Sequence, residues 1–164
     1  MCHLSFHSPV GDMTLFEEDG AIFALEWGWA CSQDPSPTLL QAKEFLDAYF
    51  DGEALDHGLP LKPKGTAFQH RVWDALRQIP YGATLTYTAL AERVGSHARA
   101  IGSACGNNPI PILIPCHRVL GSNGALTGYS GEGGLETKAA LLMLEGASFK
   151  HQPTFAMPGI TRSW

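Results

Sequence analysis

Cys116 and His117 stand side by side in Ile112-Leu113-Ile114-Pro115-Cys116-His117-Arg118-Val119, a nucleophile next to a base. A thiolate attacks carbon well, but a free cysteine titrates at about 8.5 and is mostly protonated at neutral pH, so the pair makes chemical sense only if the histidine helps remove the proton. The branched apolar flank reads as a buried extended segment, and Pro115 pushes Ile114 toward β. Neighbours along an extended chain point to opposite faces, so His117 is expected to reach Cys116 through a water or a local bend. The octapeptide alone leaves a second reading open, in which Cys116 is a small buried hydrophobe and His117 a surface residue.

The elements that must position this pair fall into two regions of opposite charge. The 164 residues carry a net charge of −5. Up to Leu61, eleven acids face the single cation Lys43; from Lys62 onward ten Lys and Arg face five acids, giving about −10 and +5. That asymmetry suggests two domains, residues 1–61 and 62–164, with only the second turned toward a polyanion. No apolar run is long enough to span a bilayer and Met1 to Val10 lack a basic, apolar leader, so a cytoplasmic protein without membrane contact is expected. Cys2, Cys31, Cys105 and Cys116 show no CxxC spacing, which argues against a disulfide framework or a zinc ribbon. His3, His7 and His57 add no pair with ligand spacing on a rigid turn, and no metal site is expected.

The first region reads as α/β scaffold: a small antiparallel sheet followed by a helix. Leu4 and Phe6 open a strand, Met13 to Glu17 form a second, and Asp19-Gly20 turn the chain into Ala21 to Trp27, where Phe23, Leu25 and Trp27 are expected to share a face. Ser36-Pro37 supplies an N-cap and a first-turn proline for a helix with Leu39, Ala42, Phe45, Leu46, Tyr49 and Phe50 on its inner stripe. Asp56 to Gly65 reads as the connection between the regions.

The second region is mostly helical, with a helix-turn-helix outline. Thr66 and Thr86 cap two helices, the latter stopped by Gly95, and a third follows directly over Ala98 to Cys105. This third helix carries Ala98, Ala100 and Gly102 around one Arg99, a surface suited to close approach in a minor groove with one inserted side chain rather than to base readout. The alternative is a helix packed inside the domain. Asn123-Gly124 predicts a hairpin with Ala125 to Tyr129 pairing back, and a glycine-rich loop over 128–134 lacks phosphate-loop spacing. The last helix, Leu135 to Glu145, ends on a carboxylate that the macrodipole disfavours, so Glu145 is expected to have a compensating partner.

Asn107-Asn108-Pro109-Ile110-Pro111 leading into Pro115-Cys116-His117-Arg118-Val119 resembles the active-site signature of the O6-alkylguanine-DNA alkyltransferases, closely over residues 66–146 and loosely before. The resemblance implies an RNase H-like first domain, a winged-helix second domain, and irreversible transfer of an alkyl group from O6-alkylguanine, or less well O4-alkylthymine, to Cys116. It makes His117 the proton relay, Glu145 the residue that orients it, and Asn108 a hydrogen-bonding neighbour of the cysteine. Tyr87 falls on the residue that helps rotate the target nucleotide, Arg99 on the one that replaces it in the stack, and Val119, Tyr129 and Ser130 on positions lining the guanine pocket. Ala98, Ala100 and Gly102 fit the minor-groove face.

The chemistry follows the same lines. O6 is unreachable inside a duplex, so the base must be extruded. Tyr87 is the candidate donor to the leaving oxygen. The S-alkyl thioether offers water no carbonyl to attack, which limits each molecule to one turnover. No cofactor is implied; the expected partner is double-stranded DNA bearing the lesion, and a monomer is expected. The chain departs from some members by a longer loop over 131–134 and a shorter turn before Arg99, and Cys105 stands where others carry a larger wall residue; core filling is expected of it. A winged-helix binding protein without chemistry and a Cys-His hydrolase with many turnovers remain the rival classes.

Overall fold

The structure, a computed structural model, describes residues 1–129 and 133–150. Three strands, β1 (Cys2–Phe6), β2 (Met13–Glu18) and β3 (Ala21–Trp27), form an antiparallel sheet in that order. Asp19 and Gly20 both adopt positive φ in the tight β2–β3 turn, as the sequence suggested. The facing of β3 differs from expectation. The register slips between Phe16 and Glu17, so that Glu17 pairs with Ile22 while Phe16 pairs with Ala24, leaving Phe23 unpaired. This bulge reverses the alternation, and Ile22 and Leu25 enter the core in place of a Phe23/Leu25 pair.

Helix α1 (Pro37–Phe50) starts where Ser36 accepts the Leu39 N–H, and lays Leu39, Ala42 and Leu46 against Met13, Leu15 and Leu25 of the sheet. The connecting segment joins the sheet edge: Ile22 N–H donates to Pro60 O at 2.9 Å and Lys62 N–H to Ile22 O at 2.7 Å. Leu25 N–H donates to Pro109 O at 2.9 Å, so β3 also braces the segment that leads to Cys116. One buried cluster runs from Phe6 through Trp73 to Leu144, spanning both regions.

In the second region α2 (Ala67–Leu76) opens on a reciprocal capping box between Thr66 and Gln69. A two-residue strand β4 (Leu85–Thr86) leads into α3 (Tyr87–Val94), capped by Thr86 and ended by Gly95 at φ 72°. His97 caps α4 (Ala98–Gly106), completing the helix-turn-helix. Strand β5 (Val119–Leu120) pairs in parallel with β4, and α5 (Leu135–Leu144) closes the domain.

Two expectations about the loops are corrected. Ile112 to Val119 is not an extended strand: Ile112 takes φ 74°, and Cys116–Arg118 form one 3₁₀ turn before the short β5. Pro111 and Pro115 have no N–H to give a ladder, and the remaining polar groups close on themselves. Ile114 N–H donates to Ile110 O at 2.9 Å and Cys116 N–H to Ile114 O at 2.8 Å. Nor does Ala125 to Tyr129 pair back as a strand. Asn123 and Gly124 do turn with positive φ, and Gly121 N–H reaches Ala125 O at 2.8 Å, but the next bond runs from Leu126 N–H to Lys150 O at 2.9 Å.

Candidate active site

Asn108 shapes the turn that carries Cys116. Its Nδ2 donates to Ile114 O at 2.8 Å while its Oδ1 accepts Ile110 N–H at 3.0 Å, and the same amide favours the ionised form of the Cys116 thiol. The fold thus delivers the thiol, 4% exposed, to a cavity of about 190 Å³ lined by Tyr87, Gly102, Cys105, Gly106, Gly128 and Tyr129. Burial pushes the Cys116 thiol up, against the pull of Asn108 and the Lys138 charge. The resting nucleophile is therefore a thiol.

Behind it lies a buried polar cluster. His117 is wholly buried, and its Nε2 lies 2.6 Å from Glu145 Oε2. The carboxylate fixes the ring proton on Nε2 and leaves Nδ1, which has no partner among the described residues, as a bare acceptor. Glu145 receives more than the one partner anticipated. Arg118 donates from Nε to Oε1 at 2.8 Å and from Nη2 to Oε2 at 3.1 Å, Gly82 N–H donates to Oε1 at 3.3 Å, and Tyr49 Oη donates to Oε2 at 2.6 Å.

Burial alone would raise the Glu145 carboxyl, but His117 and then Arg118 hold it well below the usual range. Burial lowers the His117 pKa against the attraction of Glu145. Because Arg118 already neutralises the carboxylate, the pair rests as a neutral imidazole beside an ionised Glu145.

Lys138 is the residue that sequence reasoning missed. It is fully buried, donating from Nζ to Thr127 O at 2.6 Å, Gly128 O at 3.0 Å and Tyr87 Oη at 3.4 Å. Burial lowers its pKa to about 8, and the two cavity thiols oppose that shift. Its signal was its place on the Leu135/Leu142 stripe of a helix otherwise apolar there. Tyr49 stands in the sequence as a core position of α1 and Arg118 as a neighbour in the Cys-His motif, and neither pattern signals a bond to Glu145.

Tyr87 lines the cavity with its hydroxyl pushed up to about 12 by burial first, then by Cys105 and Cys116. Tyr129 stands edge-on to Trp27 of β3 at 6.4 Å, its hydroxyl buried without a partner among the described residues. Cys105, expected as core filling, is buried yet forms cavity wall. Val119 is buried in β5 opposite Leu85, outside the lining set, and Ser130 lies outside the described residues. Arg99 and Ala98 are exposed on the first turn of α4, with Ala100 and Gly102 half-buried beside them.

The comparisons with known proteins match this architecture in two blocks. The ribonuclease-like domain of 6-O-methylguanine DNA methyltransferase matches residues 1–63, and the DNA-binding domain of the same family matches residues 67–147. The chain belongs to the methylated-DNA–protein-cysteine methyltransferases. The constitutive methylated-DNA–protein-cysteine methyltransferase of Bacillus subtilis is 42% identical, covering 88% of this chain and 95% of the relative. That of Methanosarcina acetivorans is 40% identical over 90% and 99%. The crystal structure of Mycobacterium tuberculosis OGT in complex with DNA superposes with a TM-score of 0.79 at 43% identity, covering 88% of this chain and 92% of that one. The sheet and α1 are thus a ribonuclease-like domain, and α2 to α5 a helical DNA-binding domain, of a DNA alkyltransferase.

Proposed function

We propose that this methyltransferase repairs double-stranded DNA directly by moving the alkyl group of O6-alkylguanine, and less well of O4-alkylthymine, onto Cys116 Sγ in a single irreversible turnover. The observation that carries the reading is the placement of the Cys116 thiol on a cavity walled by two tyrosines and small residues, with the His117–Glu145 pair buried behind it. His117 Nδ1 takes the thiol proton through a water, while Glu145 and Arg118 hold the imidazolium. The S–C bond forms as the C–O6 bond breaks, and Tyr87, protonated through the physiological range, donates to the leaving guanine oxygen. The guanine anion that leaves takes a proton by way of Tyr87 and the imidazolium returns the thiol proton through water, so that S–H and O6-alkylguanine become S-alkyl and guanine and the step needs no cofactor.

Access requires the nucleotide to leave the stack. Arg99, exposed at the start of α4, fills the gap while Ala98, Ala100 and Gly102 lie along the minor groove. A Cβ added at Gly102 or Gly106 would meet nothing within 4 Å, so internal packing does not demand glycine there, and the open space suits a nucleic-acid surface. Tyr129 closes the base pocket and Val119 supports it from the core, and the family resemblance assigns Ser130 to the same pocket. We assign residues 1–61 to the scaffold and 62–164 to DNA binding and transfer, in a monomer acting in the cytoplasm.

The test is peptide mass spectrometry after mixing the protein with a duplex containing O6-methylguanine. One methyl on the Cys116 peptide per restored guanine is expected, and Cys116→Ala should bind DNA without accepting the group. Tight binding without an adduct, or more guanines restored than protein molecules present, overturns the proposal.

A further inference from the structure

We infer that Tyr49, on α1 of the ribonuclease-like domain, is a positioning residue of the relay: its hydroxyl holds Glu145 against His117 and sets the proton affinity of that imidazole. The inference rests on the proposed transfer to Cys116. It gives the first domain a part in the chemistry, 96 residues away in sequence from the carboxylate it serves.

The geometry leaves Tyr49 little else to do. Its ring is fixed by Phe50 at 5.2 Å, Tyr81 at 6.0 Å and Phe45 at 6.4 Å, and its hydroxyl makes a buried 2.6 Å bond to the same oxygen, Oε2, that faces His117 Nε2. Among the described residues Glu145 accepts five hydrogen bonds, from Tyr49, Gly82, His117 and twice from Arg118. Each donor other than His117 withdraws negative charge from the carboxylate and so weakens its hold on the imidazole proton. Tyr49 differs from Arg118 in that it tunes without adding charge. Burial first, and then Glu145, push its own proton well above the ordinary tyrosine range, so it donates at every working pH.

Among the described residues, Arg118 and Lys138 lower the His117 pKa and Glu145 raises it. Tyr81 stands beside Tyr49 and, like Tyr129, remains neutral through the physiological range, while His57 and Arg77 line the same cavity as Tyr49 and Arg118 and are unchanged in the comparison below. Removing the Tyr49 hydroxyl takes one donor from Glu145, strengthens its attraction for the imidazolium, and raises the pKa of His117. Transfer needs a neutral His117, so its acid limb moves to higher pH.

The experiment compares wild type with Tyr49→Phe, which keeps the ring and its packing. Single-turnover methyl transfer from an O6-methylguanine duplex is followed from acid to alkaline pH, and the His117 ring is titrated by NMR in the same proteins. The NMR midpoint and the acid limb are expected to rise together by about half to one pH unit, a fraction of one hydrogen bond to a charged group because Tyr49 acts on the imidazole only through Glu145. Transfer falls several-fold on the acid side and is retained on the alkaline side. An unmoved midpoint, or a uniform loss of rate with lower thermal stability, overturns the inference and leaves Tyr49 as packing. A midpoint that moves while wild type shows no acid limb, or while His117→Gln transfers normally, supports the hold of Tyr49 on the imidazole and overturns instead the assignment of His117 as proton acceptor.

Discussion

Replacing Lys138 by methionine tests the electrostatics of the cavity in a quantity that does not depend on DNA. The ammonium is fully buried, and its pKa falls from 10.5 to about 8. A lysine depressed in the fold is a liability below that pH, because the native state must carry a charge that the unfolded chain solvates freely. The cost shrinks as pH rises through 8 and vanishes above 10.5, where both states are neutral. Each pKa unit of difference corresponds to about 1.4 kcal/mol, so the penalty is roughly 3 kcal/mol at pH 7 and still about 1.4 kcal/mol at pH 9.5.

Methionine removes the titration but orphans the carbonyls of Thr127 and Gly128, a loss of about 1 to 3 kcal/mol that does not vary with pH. The two effects are therefore separable. Urea unfolding at the two pH values should show wild type gaining on Lys138→Met by about 2 kcal/mol between pH 7 and 9.5. Tyr49, Tyr87, Tyr129 and Cys105, all pushed up by burial, keep their protons in both folded proteins up to pH 9.5, so their titration in the unfolded chain cancels. Both proteins carry Cys116→Ser, because that thiol feels the Lys138 charge. A difference that stays flat across that range would refute the picture of a charged, desolvated lysine beside the thiols.

Arg99→Ala should slow repair of a lesion in duplex DNA about tenfold or more while leaving transfer from a short single strand near wild type, since only the duplex must be unstacked; stopped-flow transfer on the two substrates reads the ratio, and equal rates on duplex would remove Arg99 from the stack. His57 uses both ring nitrogens when neutral, Nε2–H donating to Leu113 O at 3.1 Å and Nδ1 accepting Leu59 N–H at 2.9 Å. Burial depresses its pKa below 6.5, so the stability it contributes is present above that value and is lost as pH falls through it. Denaturant midpoints from pH 7.5 to 5 should therefore fall more steeply for wild type than for His57→Gln, and parallel curves would show that His57 does not titrate against the fold.

Much of the scaffold was legible because it is written in local chemistry. Ser36-Pro37, Thr66, Thr86 and Gly95 each announce a helix end through groups within four residues, and the structure places caps at all of them. The segment that matters most was misread for the opposite reason. Ile112 to Ile114 has strand composition, but its backbone is claimed by Asn108, by Ile110 and by prolines that refuse a ladder, and branched residues pack as well in a buried loop as in a sheet. The β3 bulge was illegible because nothing in Phe16 or Phe23 marks a register slip. Glu145 could be flagged as needing a partner, from the helix dipole alone. That Tyr49 would supply part of the answer depends on how two domains dock, which no local pattern encodes.

The arrangement also bears on how a nucleophile used once is kept until it is needed. A thiolate at rest would react with any small electrophile or oxidant that entered the cavity, and each such event would consume a molecule. Here burial holds Cys116 as a thiol, His117 waits neutral with Nδ1 unpaired among the described residues, and the negative charge is stored on Glu145 under Arg118 and Tyr49. On the proposed reading, ionising the thiol in the empty cavity separates charge in a low-dielectric site with no recipient for the electrons. An alkylated base seated between Tyr87 and Tyr129 changes that balance, because charge leaving sulfur passes to an oxygen that Tyr87 can protonate, with the Lys138 cation 3.4 Å from the same hydroxyl. Selectivity for the lesion then comes from the electrophile completing the circuit as well as from the fit of the base, and a small alkylating agent of equal intrinsic reactivity is left with only a protonated thiol to attack.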